Sequence, residues 1–366
     1  ATMRTEDVQQ GGLFSYISLE SRIPLNHPIR KLRVLVDTIL KEMDADFAPL
    51  YSSVGRPSIP PERLLRALLL QIVFSVRSER LLMERMDYDL LFRWFVGLDL
   101  DDPVWDHSTF SFNRERLFGS QVAEKFFRNT VLMARVGKLT SDEHFTVDGT
   151  LLEAWASHKS FKPRDDDSDR GDGTRNPDVD FRGEQRKNDT HASTTDPDAR
   201  LYRKGSNREA KLSYQANALM DNRIGLVVDV DVRHASGTAE RDGALAMLAD
   251  VQRGATLGAD KGYDTHDFVA ALKRKGIKPH IARHTTNRKS AVHHRTAASA
   301  GYAVSQRKRK LIEQTFGWIK TVGGLRKTRF IGLAKVKAQA LWSFAAYNLV
   351  RLGGVQGGQW WASAPT

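Results

Sequence analysis

A helical region followed by an α/β sandwich is the fold class that the chain predicts, on three observations. Residues 28–136 carry apolar side chains at helical spacing, with few strand signals. From Glu143 onward the pattern changes to strand, strand, strand, helix, strand, helix, strand, helix, the order of an α/β sandwich. No apolar run reaches membrane-spanning length, and the densest, LLRALLLQIVFSV at 64–76, is interrupted by Arg66 and Gln71 and reads as a core helix.

Each element has its own signal. SIPPERLLRALLLQIVFSV opens with Ser58 and a proline pair suited to a helix start. SERLLMERMDYDLLFRWFVGL follows and stops near Gly97. DHSTFSFNRERLF predicts a shorter helix with Ser108 as its N-cap and Arg114 and Arg116 exposed. Successive short helices suit a helix-turn-helix reader, and equally packing or dimerisation. HFTVDGTLL, KLSYQANALMD and GLVVDVDVRHASG predict three strands, AERDGALAMLADV a helix, and ATLGADKGYD a buried strand ending in a polar loop. THDFVAALKRKG is a second helix and IKPHIAR a further strand.

Residues 157–211 do not fit a compact sheet. They hold 13 Lys/Arg and 12 Asp/Glu with few large apolar side chains, which predicts an insertion that is mobile or ordered only on a partner. The Gly-rich end predicts a flexible tail over 351–366. The expected organisation is a helical region over 1–140, then an α/β domain over 141–350.

Charge narrows the partner. The 366 residues hold 56 Lys plus Arg against 44 Asp plus Glu, a net +12 with a pI near 9.8. That balance favours a polyanion, nucleic acid before membrane. Zero cysteines exclude disulfides and thiolate metal sites and suit a reducing cytoplasm. The opening ATMRTEDVQQGG lacks the apolar core of a signal peptide, so a soluble cytoplasmic protein is expected. The positive charge is concentrated. Between His280 and Ala340 there are 14 Lys/Arg and one acid, Glu313, so the rest of the chain is close to neutral. A solvated face normally mixes both signs.

Glu313 therefore needs an explanation. A helix is expected from Ser305 to the Gly323–Gly324 stop, and at about 100° per residue Arg309, Glu313 and Lys320 share one side of it. One reading is a surface ion pair of Arg309 with Glu313, contributing about 0.3–0.5 kcal/mol. The other involves two more carboxylates, Asp148 at the end of FTVD and Asp260 at the end of LGAD. Side chains that follow buried strands converge above a sheet, although loop aspartates also serve as caps and turn formers. Three converging carboxylates would repel one another unless cations bind. Mg²⁺ suits such hard oxygen ligands. Two ions about 4 Å apart can activate a water or a 3′-hydroxyl and stabilise the leaving oxygen of a displacement at phosphorus. The cationic segment supplies the surface for phosphates.

FTVDGTLLEAWASHKS, GADKGYDT and SQRKRKLIEQTFGWIKTVGGLRKTR together resemble the DDE transposases of bacterial insertion sequences, most like the insertion-sequence-five family. The leading GRPSIPPERLLRALLLQ and SERLLMERMDYDLLFRWFVGLDLDDPVWDHSTFS resemble that family's first domain, so the likeness spans about residues 50–345. The resemblance implies a ribonuclease-H-like mixed-sheet core in which Asp148, Asp260 and Glu313 are catalytic and bind two Mg²⁺ ions, with Mn²⁺ as a substitute. It implies that Arg309 and Lys320 belong to the signature of the glutamate helix; the signature's tyrosine position is Gln306 here. Arg307, Lys308, Arg309, Lys310, Lys320, Arg326, Lys327 and Arg329 are the expected DNA contacts. The implied function is binding of terminal inverted repeats and two-metal phosphodiester hydrolysis and strand transfer into target DNA, by a homodimer associated with the nucleoid when bound.

Two other readings compete. FTVDGTLL also resembles the nucleophile loop of haloacid-dehalogenase phosphatases, but the nucleophile position is Thr146, which cannot form an aspartyl-phosphate. A non-catalytic DNA-binding protein or an inactive transposase remnant explains the charge and leaves the three carboxylates as coincidence.

Overall fold

Proline and capping side chains start the amino-terminal helices where the sequence places them. The computed structural model describes residues 17–51, 58–118, 121–164, 187–205, 209–285 and 289–355. Helices α1 (Leu19–Arg22), α2 (Pro28–Glu42), α3 (Asp44–Phe47), α4 (Pro61–Val73), α5 (Glu79–Tyr88), α6 (Leu90–Val96), α7 (His107–Phe118) and α8 (Val122–Val136) come first. Pro61 occupies the first turn of α4, Ser78 accepts from Leu81 N to cap α5, and α6 stops at Gly97 with φ +89°.

Helix α7 departs from expectation in two ways. Asp106 accepts from Ser108 N at 2.8 Å and caps the helix, so Ser108 lies inside the first turn. Arg114 and Arg116 are half-buried instead of exposed. Arg114 pairs with Glu79 and stacks on Phe330 at 4.9 Å, while Arg116 stacks on Tyr51 at 4.5 Å. Their aliphatic stems and flat guanidinium groups pack well between helices, which outcompetes full solvation.

The sheet contains β1 (His144–Glu153), β4 (Arg200–Tyr202), β5 (Lys211–Asp221), β6 (Leu226–His234), β7 (Thr256–Ala259) and β8 (Lys278–Ile281). Its order is β6-β5-β1-β7-β8, with β4 paired to the start of β5. β6, β5 and β1 are antiparallel neighbours, whereas β7 and β8 run parallel to β1. Three mutually antiparallel strands, the last two joined by a hairpin and the first two separated by the polar stretch, followed by two parallel crossover strands make this a ribonuclease-H-like mixed sheet. Helices α9 (Ala239–Met247) and α10 (His266–Arg274) cover one face through Phe145, Val147, Leu257 and Phe268. Helices α11 (His294–Ala297), α12 (Ala300–Lys308), α13 (Leu311–Thr321) and α14 (Leu333–Val355) follow β8.

The polar stretch is partly built into the fold. Short strands β2 (Phe161–Pro163) and β3 (His191–Ser193) pair with each other, and Asp196 and Ala199 are buried. Asp196 accepts from the Tyr214 hydroxyl at 2.6 Å. Residues 157–164 and 187–205 are thus anchored by a few buried contacts without a core of their own; 165–186 and 206–208 lie outside the described residues. The expected loose tail also begins later, because 351–355 are the last residues of α14, held by the buried Leu352 and by Arg351 Nε donating to Ile224 O at 2.5 Å. The remainder, 356–366, lies outside the described residues.

The helix expected from Ser305 is two helices. Arg309 and Lys310 interrupt it, and Ile312 N and Glu313 N donate to carbonyls three residues back. Ser305, buried in α12, fastens this unit to the sheet: its hydroxyl lies 2.6 Å from His280 Nδ1 and 2.8 Å from His144 Nε2. Helix α14 ties the whole together. It packs on α2, α4, α7, α8, α13 and β6, and one apolar cluster runs from α2 through α14 to β5. The Asn348 side chain accepts from Val227 N at 3.0 Å and donates to Val227 O at 2.7 Å, satisfying both backbone groups of one β6 residue.

Burial holds both imidazoles flanking Ser305 below their ordinary 6.5. A ring kept neutral in the fold contributes stability that is whole above 6.5 and is lost as pH falls through the depressed value. The His144→Gln/His280→Gln double variant should therefore lose less stability than the wild type on acidification from about pH 7 to about pH 5, as measured by urea unfolding at each pH.

Candidate active site

β1 and β7 lie side by side with Thr146 opposite Gly258. The pairing ends there; two residues on, Asp148 lies in the middle of β1, which continues to Glu153, and not at a strand end as expected, while Asp260 lies just beyond β7 and within the field of Asp148. Alternation decides where the side chains point. Phe145 and Val147 face α9 and α10, and His144 faces α12 through Ser305, so Asp148 is directed to the α12–α13 side. Gly149 takes the opposite side. A Cβ there would stand 2.4–2.8 Å from Gln215 Nε2, Asn217 Oδ1 and Glu240 Cγ. Only glycine lets Glu240, in the first turn of α9, come this close to the strand.

Burial pushes the Asp148 carboxyl up to about 7, with Asp260 and Glu240 adding to the rise and the Gly149 N–H and Lys204 opposing it. Burial also raises Glu240, again with Asp260 adding and Lys204 opposing. The Lys204 ammonium comes from the polar stretch and donates to Gly149 O at 3.2 Å while facing Glu240 Oε1 at 3.6 Å. Asp260 caps the turn that follows β7, accepting from Gly262 N at 2.8 Å. The hydroxyl of Tyr263 is buried with no hydrogen-bond partner among the described residues, and burial beside Glu240, Asp148 and Asp260 drives its phenol well above the ordinary value.

Glu313 stands apart. It is exposed in the first turn of α13, and Arg309, half-buried, donates from Nε to Gln306 Oε1 at 3.1 Å. Among the described residues Arg309 and Glu313 form no ion pair, and no three His, Asp or Glu side chains gather closely enough to hold one ion. Lys320, two turns further along α13, is the point where this helix meets the site: burial lowers its amine, and it lies in the fields of Glu153 and Asp148. The expected triad is thus present as a pair, Asp148 with Asp260, and a separate Glu313. The break at 309–310 and the exposed start of α13 account for the separation.

The donor set still fits a hard divalent cation. Mg²⁺ commonly binds through one or two carboxylates, with water and substrate phosphates completing the shell. Asp148 and Asp260 supply such a pair, and the orphaned Tyr263 hydroxyl offers a polar neighbour. Sequence reasoning missed Glu240, Lys204 and Tyr263. Tyr263 sits inside the GADKGYD motif, whereas a first-turn acid such as Glu240 and a lysine in a charged stretch carry no local signal.

The cations expected to contact DNA face solvent, apart from the half-buried Arg309 and Lys320. Arg307, Lys308, Lys310, Arg326, Lys327 and Arg329 are exposed. Asp264, by contrast, is a loop tether: it accepts from His284 N at 2.8 Å and Ala291 N at 2.9 Å.

A mixed ribonuclease-H-like sheet with neighbouring carboxylates on and just beyond adjacent parallel strands, together with a cationic helix, defines a DNA-processing protein of the DDE class. Family comparisons agree. The model for Transposase domain (DUF772) matches residues 17–116, and that for Transposase DDE domain matches 179–349, a span that includes Asp260 and Glu313. The chain belongs to the DDE transposases of insertion sequences and is a DNA transposase. That family uses divalent metal ions and has nuclease and transposase activity. No curated protein matches the chain. Among solved structures, it is similar to a piggyBac transposase synaptic complex with hairpin DNA, at 11% identity and TM-score 0.43, covering 92% of this chain and 77% of that one. It is also similar to a Mos1 transposase paired-end complex with left transposon end, at 12% identity and TM-score 0.20, covering 82% and 93%. Among the described residues no helix is long and apolar enough to cross a membrane.

An Asp whose folded pKa is raised opposes folding when ionised: the penalty is absent below the unfolded value of 3.8, grows as pH rises, and is complete above about 7. Asp148→Asn should accordingly be more stable than the wild type by about 1–3 kcal/mol near pH 8. The advantage should shrink on acidification, as read from denaturant midpoints.

Proposed function

We propose that this transposase cleaves phosphodiesters at the ends of its element and joins the freed 3′-hydroxyls to target DNA, with Asp148, Asp260 and Glu313 as the Mg²⁺-binding catalytic acids. The observation that supports this reading is the parallel pairing of β1 with β7, beyond which Asp148 and Asp260 lie in each other's field. Divalent ions held there would offset the charge that builds on the attacking and leaving oxygens of the phosphate. Glu313, on the exposed first turn of α13, completes the set when DNA and metal draw it toward the pair. Lys204 partly neutralises the acids until then. Lys320, Arg309 and the run Arg307, Lys308 and Lys310 hold backbone phosphates, together with Arg326, Lys327 and Arg329. The amino-terminal helices, 1–140, bind the terminal repeats or a second copy, and the α/β region, 141–350, performs the chemistry. Joining two ends calls for two active sites, hence a homodimer on DNA, acting in the cytoplasm at the nucleoid.

A DNA binder that does not cut is the competing reading, and the separation of Glu313 from the acid pair favours it. Mg²⁺-dependent nicking of a labelled terminal-repeat duplex decides between them. Glu313→Gln should abolish nicking and leave the gel shift of that duplex unchanged; full nicking by this variant would end the assignment. Lys308→Ala should weaken duplex binding and reduce its salt dependence by about one phosphate contact, as measured by fluorescence anisotropy across a salt series.

A further inference from the structure

Trp155 lies just beyond β1, seven residues after Asp148, and is 55% exposed. It is the one exposed tryptophan among the described residues. Leaving so large an apolar ring in water is costly unless something covers it in use. Lys327 Nζ stands 4.7 Å from the ring centroid and the Arg329 guanidinium 5.8 Å, so cations already border the indole.

The ring stands at a cleft of about 870 Å³ between two parts of the chain. One wall is the turn from α4 to α5, where Ser75 adopts φ +51° and donates from Oγ to Val322 O at 3.2 Å. The other wall is the segment from Lys320 to Phe330, tied across the cleft by Arg329 Nη1 donating to Arg77 O at 2.8 Å. The two acids that line the cleft are engaged: Glu79 pairs with Arg114, and Glu115 with Lys335 at 2.8 Å. Arg77, Arg80, Lys320, Arg326, Lys327 and Arg329 have no acid partner within ion-pair distance among the described residues.

Six uncompensated cations beside an exposed indole call for a ligand with both phosphates and free aromatic faces. Unpaired nucleic acid offers both, whereas a duplex hides its base faces in the stack. The volume lies within the range of small-molecule sites, too small for a double helix and sufficient for a nucleotide or two. Lys320 lines the cleft and lies in the field of Asp148, which places the cleft next to the carboxylate pair.

We propose that this cleft binds an unpaired stretch of DNA adjoining the cleavage site, with one base stacked on Trp155 and its phosphates held by Arg77, Arg80, Arg326 and Lys327. The position of the ligand rests on the reading of Asp148 and Asp260 as the cutting centre, but its binding does not.

The test compares a blunt duplex with the same duplex carrying a short single-stranded overhang that contains 2-aminopurine, using the full chain without metal. The wild type should bind the overhang duplex more tightly and change the 2-aminopurine emission on binding. Trp155→Ala should lose about 5- to 100-fold of the overhang affinity, the range expected of one base–aromatic stack. It should abolish the emission change, keep the blunt-duplex affinity and melt at the wild-type temperature. Trp155→Phe should restore most of both signals. Equal overhang affinity and emission in wild type and Trp155→Ala overturn the proposal while leaving the transposase reading intact. A wild type that binds the overhang but no blunt duplex would count against the transposase reading and leave the cleft proposal standing.

Discussion

The site depends on an electrostatic constraint: the fold holds the Asp148 carboxyl half-buried, within the fields of Asp260 and Glu240. Like charges so placed stay together only because the surrounding backbone is already committed. β1 and β7 are locked by their ladder, Gly149 yields room for Glu240, and α9 is packed on the sheet through Ala244 and Met247. Lys204 relieves part of the repulsion. The arrangement sacrifices stability for a centre that a small, hard cation would suit better than an ammonium does.

Much of this was legible in the sequence. Buried runs each followed by an aspartate pointed to Asp148 and Asp260; Asp260 does end its strand, whereas β1 continues past Asp148 to Glu153 because it keeps pairing with β5. The five strands β1, β5, β6, β7 and β8 and the helices between them appear where periodicity set them. What escaped was decided by contacts between distant segments. Arg114 and Arg116 read as solvent-facing on a helical wheel, yet Glu79, Phe330 and Tyr51 take them inside. The interruption at 309–310 has no glycine or proline to announce it. Lys204 and Asp196 lay hidden in a stretch whose composition pointed away from order, because a few buried anchors are invisible to an average over fifty residues.

The cations divide into two sets with different tasks. Those on α12 and at the start of α13 stand free in solvent, suited to long-range attraction of a polyanion. Lys327 and Arg329 are constrained by the indole of Trp155, and Arg329 also by the carbonyl of Arg77. Fixed charges select shape where mobile ones only attract.

The apolar cluster that α14 threads has a mechanical implication. Because Trp342 and Phe344 are shared between the amino-terminal helices and the helices beside the sheet, no greasy seam exists along which the two halves could slide or swing apart. A fragment ending near residue 140 would bare the flank of α8 and clump, and its complement would do the same. When such a molecule grips a helical polymer, the strain must therefore be absorbed by surface loops and by the polymer's own bending, with the body acting as an anvil.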